Sequence, residues 1–99
     1  MGVNQYMQQK FLRENTYSDE IRQLRYANKL SEAATKCKEA IEEFPDNNFF
    51  YKILGDIYLQ MAQYQLASDA YLENLKRLKN ADRFKSFIRF YRTMQKKAP

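Results

Sequence analysis

Apolar residues between Asn48 and Leu78 recur at steps of three and four. Phe50, Ile53, Leu54, Ile57, Tyr58 and Met61 share one helical face, and Tyr64, Ala67, Tyr71, Leu75 and Leu78 share another. Only Ala62 and Gln63 separate the two stripes, a connection too short for anything but an antiparallel helical hairpin. Gly55 lies inside the first of these helices, where glycine costs about 1 kcal/mol relative to alanine. With Ala67 on the facing helix, it is expected to let the two backbones approach closely and so offset that cost.

The same periodicity extends in both directions. Val3, Tyr6, Met7 and Phe11 form a short stripe, which predicts an N-terminal helix over residues 3–13. Thr16, with Asp19 three residues on, resembles a capping box, so a new helix is expected to start there and turn Tyr17, Ile21, Leu24 and Ala27 inward. Ser31-Glu32 supplies the next start signal, for a helix presenting Ala33, Ala34, Cys37, Ala40, Ile41 and Phe44. Pro45 ends it, and Asp46-Asn47-Asn48 is a turn able to cap the hairpin that follows. Downstream, Asn80 can cap a last helix over residues 81–97, and Asp82 suits its positive end.

These stripes repeat. A shift of 34 brings Tyr17 onto Tyr51, Leu24 onto Tyr58, Ala27 onto Met61, Leu30 onto Tyr64, Ala33 onto Ala67 and Cys37 onto Tyr71. A shift of 33 brings Tyr51 onto Phe84, Leu54 onto Phe87, Gly55 onto Ile88, Tyr58 onto Tyr91 and Met61 onto Met94. Leu54-Gly55-x-x-Tyr58, followed by Ala67 and Tyr71, resembles the tetratricopeptide repeat, a helical hairpin of about 34 residues. Pro45 stands where that family's repeat-ending proline lies. Two positions depart from the pattern: Glu20-Ile21 replaces Leu-Gly in the first copy, and Lys79 replaces the closing proline in the second.

The resemblance covers residues 14–95. It implies an all-α fold, with antiparallel hairpins stacked as a short right-handed α-solenoid of about five or six helices. The whole chain, 1–99, then forms one domain: an N-terminal helix (1–13), two repeats (14–47 and 48–80) and a closing helix (81–97). About three units are usually needed for a stable array. The N-terminal helix therefore caps one end, or the chain self-associates, or it belongs to a longer array.

Composition narrows the chemistry. At 44% hydrophobic and 15% aromatic residues, the chain can build a core and does not resemble a disordered segment. It has no apolar run long enough to span a membrane and no apolar signal core at its start, so a cytoplasmic protein is expected. There is no histidine, and Cys37 is the only cysteine, which removes imidazole bases, internal disulfides and the usual metal-ligand sets. Cys37 sits at a core position, and Glu39, Glu42 and Glu43 read as a solvated helix face. A non-enzymatic protein without cofactor or metal is expected.

Charge is unevenly spread. Residues 1–75 hold eight Lys or Arg against eleven acids, a balance of −3, whereas residues 76–97 hold nine against Asp82 alone, a balance of +8. In the family it resembles, the first helix of each repeat lines a concave groove that takes a peptide. Carried onto this chain, the groove positions are Ser18, Arg22, Arg25 and Tyr26, then Phe49, Lys52, Asp56, Leu59 and Gln60, and Lys85, Arg89 and Arg92 on the closing helix. The resemblance thus implies an adaptor that binds an acidic or amphipathic protein segment in a basic groove. Asparagines are absent from these positions, so the clamp on a C-terminal carboxylate used by some family members is not expected. Two other readings stay open: homo-oligomerisation through Phe49, Phe50, Phe84 and Phe90, and nucleic-acid binding through the basic, aromatic stretch 83–97.

Overall fold

A computed structural model of the chain describes residues 2–78, with side chains from Gln8 onward, together with Arg89, Arg92 and Thr93. Four helices and no strand occur among the described residues: α1 (Gly2–Tyr26), α2 (Leu30–Glu43), α3 (Phe49–Gln60) and α4 (Tyr64–Arg77). Each helix packs chiefly on the one next to it in the chain, α1 on α2, α2 on α3 and α3 on α4.

Five to six helices were expected, and two features account for the difference. The helix expected over 3–13 and the one expected to start at Thr16 are a single helix of 25 residues. Thr16 does not cap: its Oγ1 donates to the Leu12 carbonyl at 2.9 Å, one turn back within the helix. No glycine or proline interrupts residues 3–26, so nothing stops the helix there. The bond from Arg13 to Glu43 marks where the end of α2 meets α1. Toward the N-terminus Phe11 and Leu12 are exposed. The closing helix expected over 81–97 falls outside the described residues, except that Arg89, Arg92 and Thr93 are helical.

The connections between α1 and α2 and between α3 and α4 are the same turn used twice. Asn28 (φ 60°) and Ala62 (φ 59°) both adopt the left-handed conformation. In the first turn, Lys29 N–H donates to the Leu24 carbonyl at 2.8 Å and Asn28 N–H to the Arg25 carbonyl at 3.0 Å. In the second, Gln63 N–H donates to Tyr58 at 2.8 Å and Ala62 N–H to Leu59 at 3.0 Å. Both are Schellman closures, which satisfy the last carbonyls of a helix by reversing the chain through one left-handed residue. Their positions, 28 and 62, are 34 residues apart, the shift that superposes the two apolar stripes.

Between α2 and α3 the chain uses a different device. Pro45 follows the end of α2, and Asn47 Oδ1 accepts the Phe49 N–H at 3.1 Å. The turn thus caps α3 from Asn47, one residue before Asn48. Asn48 Nδ2 instead donates to Oδ1 of buried Asn74 on α4 at 2.9 Å. Nor does Ser31 cap α2, which begins at Leu30.

The core lies where the stripes meet. Ala33, Ala34, Cys37 and Ala40 give α2 a thin inner face, and the larger Phe50, Ile53, Leu54 and Ile57 of α3 fill the space against it. Tyr17 meets Phe44 and Phe50 edge-on, at centroid distances of 6.1 and 6.3 Å. Ala27, expected inward, is exposed, because α1 has ended and the turn carries it to the surface. Gly55 is buried against the ring of Tyr71. A Cβ at Gly55 would lie 2.5 Å from Tyr71 Cε1, so the atoms that need the glycine belong to a side chain rather than to the facing backbone.

Two stability predictions follow from backbone and packing. Ala62 holds a conformation that an L-residue with a Cβ enters at a cost, so Ala62→Gly should stabilise the fold by about 1 kcal/mol and raise Tm by about 4–8 °C. A lower Tm in a thermal melt would overturn this account of the turn. Gly55→Ala should do the opposite. Helix propensity favours alanine by about 1 kcal/mol, but a Cβ only 2.5 Å from the Tyr71 ring puts overpacking toward the upper end of about 1–3 kcal/mol, a net loss of up to about 2 kcal/mol. Urea unfolding of the two variants side by side would resolve opposite shifts in midpoint.

Candidate functional site

Ser18, Ile21, Arg22, Arg25 and Tyr26 follow one another at steps of three and one, which places them on a single face of α1. Phe49, Lys52, Ile53 and Asp56 do the same on α3. The two faces border a groove of about 360 Å³. Ile21 and Ile53 are buried in its floor. Tyr26, 83% exposed, and Phe49, 54% exposed, stand on its rim.

Hydrogen bonds hold the charged side chains of this groove in place. Arg22 pairs with Asp19 at 2.7 Å, an exposed pair one turn apart on α1. Arg25 Nε donates to Gln60 Oε1 at 2.6 Å, a bond that ties the end of α3 to α1. Lys52 Nζ lies 2.9 Å from Asp56 Oδ2. The other oxygen of Asp56 accepts the hydroxyl proton of Tyr71, which reaches over from α4. Asp56 is therefore held from two helices. The lining carries three cations, Arg22, Arg25 and Lys52, against one carboxylate, Asp56, and the groove keeps a balance of +2.

Burial governs the two weak acids beneath the groove. It raises the Tyr71 phenol well above its ordinary value of 10.0, and the hydrogen bond to the Asp56 carboxylate adds to the shift, so the tyrosine remains a neutral donor. The Cys37 thiol is pushed up to about 12, chiefly by burial, although the nearby charge of Arg25 pulls the other way. Its Sγ–H donates to the Phe50 carbonyl at 3.0 Å. This is a core thiol, held far from the thiolate form a nucleophile needs.

The structure brings together seven of the sequence-derived groove positions: Ser18, Arg22, Arg25, Tyr26, Phe49, Lys52 and Asp56. Gln60 supports the site through Arg25. Leu59 does not line the groove; it packs half-buried against the core. Lys85 falls outside the described residues, and Arg89 and Arg92 are exposed without lining the groove. The polar role of Tyr71 was missed. Its place in the apolar stripe marked it as core, and the only sign of more was a hydroxyl where phenylalanine would fill the same space. No group of three His, Cys, Asp or Glu that could hold a metal occurs among the described residues.

The buried thiol generates a pH prediction. Its ordinary value is 9.0 and its folded value about 12, so the fold favours the neutral form. The associated stability is fully present below pH 9.0 and is lost as pH rises toward 12, at up to about 1.4 kcal/mol per pH unit. Cys37→Ala should lessen this slope between pH 9.0 and 10.0, where Tyr71 of the unfolded chain is at most half ionised and contributes the smaller share. Urea midpoints across that interval would show it, and an unchanged slope in the variant would refute the assignment.

No protein-family model, curated protein or solved structure matches this chain.

Proposed function

We propose that the chain is a short array of tetratricopeptide-like hairpins, stacked as a right-handed α-solenoid, and that the groove between α1 and α3 docks a segment of another protein. The repeat reading is supported by the two Schellman turns, with their matching dihedrals and hydrogen bonds at positions 28 and 62. It is also supported by the packing of each helix on its neighbour in the chain.

One observation carries the binding reading: the groove combines an apolar floor, two exposed aromatic rings and a surplus of two positive charges. Exposed rings beside an apolar floor offer an anchor point for an apolar side chain, and fixed cations select acidic neighbours around it. The ligand of this reading is an acidic, amphipathic segment with one bulky apolar residue. The protein acts by bringing that segment to it, as an adaptor without chemistry of its own.

The test is fluorescence anisotropy with a panel of labelled peptides rich in Asp and Glu, each carrying a central Leu or Phe. Arg22→Glu with Lys52→Glu should weaken binding by at least about tenfold, and Phe49→Ala by a similar factor. Helicity by circular dichroism should stay unchanged, because Phe49 and Arg22 are exposed. Equal affinity for basic peptides, or unaltered affinity in the variants, would sink the proposal.

A further inference from the structure

A larger cavity, of about 690 Å³, opens on the other side of α1, where that helix and α2 approach their shared turn. Leu24 and Ala27 give it apolar surface, and Glu20, Glu32 and Glu39 stand around them. Lys36 Nζ lies 3.0 Å from Glu20 and 3.6 Å from Glu39, so two of these glutamates are held in place by one lysine. Glu32 has no ion-pair or hydrogen-bond partner among the described residues. The titratable lining, three glutamates against Lys29 and Lys36, has a balance of −1.

The position of this cavity matters as much as its lining. Among the described helices, which pack chiefly in chain order, α1 with α2 forms the first end. The end of an array is ordinarily closed by polar surface. Here it offers a crevice with apolar surface and an acidic rim. The opposite sign of charge lies at the other end of the chain. Residues 79–97 carry seven Lys or Arg against one Asp, interleaved with Phe84, Phe87, Phe90 and Tyr91. That is the chemistry the crevice lacks: bulky rings for Leu24 and Ala27, cations for the glutamates.

We propose that this crevice receives the basic, aromatic C-terminal segment of a second copy of the chain, so that copies join head to tail. The contact is heterologous: it uses a different surface on each partner and leaves one of each kind unused in every pair. Association then grows with concentration into open chains, and salt weakens it because oppositely charged surfaces meet. The inference does not depend on what occupies the groove between α1 and α3, which lies on the other side of α1.

Sedimentation of the 99-residue chain with two variants tests it. Ala27→Arg with Glu32→Lys fills the crevice and reverses the charge at Glu32, at two exposed positions. Arg83→Glu with Lys96→Glu and Lys97→Glu takes residues 79–97 from a balance of +6 to zero and alters none of the groove positions that the repeat resemblance implies. Each variant alone should associate at least about tenfold more weakly than the unmodified protein at low salt. Mixed in equal amounts, they should form a dimer that grows no further, since the first keeps its tail and the second its crevice. An unmodified protein that stays monomeric at every concentration would overturn the proposal, as docking of the tail onto its own chain would produce. So would a mixture that stays monomeric, or a variant that associates as strongly as the unmodified protein.

Discussion

The ring of Tyr71 lies directly against Gly55, and much of the molecule depends on that contact. With any side chain at position 55 the ring would have to move from its place between α3 and α4. The ring's hydroxyl meanwhile crosses to Asp56, the residue next to the glycine, and Asp56 in turn holds Lys52 on the groove wall. One tyrosine thus sets the spacing of a hairpin through its apolar body and orients a surface carboxylate through its polar tip. A change in how α3 and α4 pack reaches the groove without any groove residue being altered.

The repeated turn imposes a second constraint. A Schellman closure needs one left-handed residue, and the chain supplies asparagine at the first turn and alanine at the second. Asparagine enters that region more readily because its short polar side chain can bond locally. Alanine has no such help, so the second turn persists through what surrounds it: Tyr58, Ala67 and Tyr71, all buried in the core the turn closes. The less favourable residue stands in the hairpin with the more heavily buried first helix. Packing there outweighs local preference.

That balance explains how much of the fold could be read from the residues alone. The stripes of α2, α3 and α4 and the buried setting of Cys37 follow from apolar spacing, because burial of a wide face decides them, and the stop at Pro45 follows from the ring that a helix cannot accommodate. Thr16 misled for the converse reason. Its capping signal is local and worth about 1 kcal/mol, and a hydroxyl can equally bond the preceding turn of an unbroken helix. Leu59 shows the same limit within the site. Its position matched the groove pattern, but it lies near the end of α3, where an apolar side chain finds the core more readily than water. The groove's charge placement was legible in part: the resemblance to the repeat family implied Arg22, Arg25 and Lys52 as groove positions, whereas Gln60 as the support of Arg25 required the fold.

Helix α1 is bordered by two cavities of opposite character, and this asymmetry gives the small domain its polarity. Toward α3 its face carries Arg22 and Arg25, and the groove there has a surplus of two positive charges. Toward α2 its face carries Glu20, and the crevice there has a surplus of one negative charge. The field of the first surface favours acidic groups and that of the second basic ones. The four described helices pack chiefly on their chain neighbours, with α1 also reaching α3 through Tyr17 and Arg25, and leave little interior to spare. Opposite charges on the two sides of one helix come from its own sequence and need no larger core.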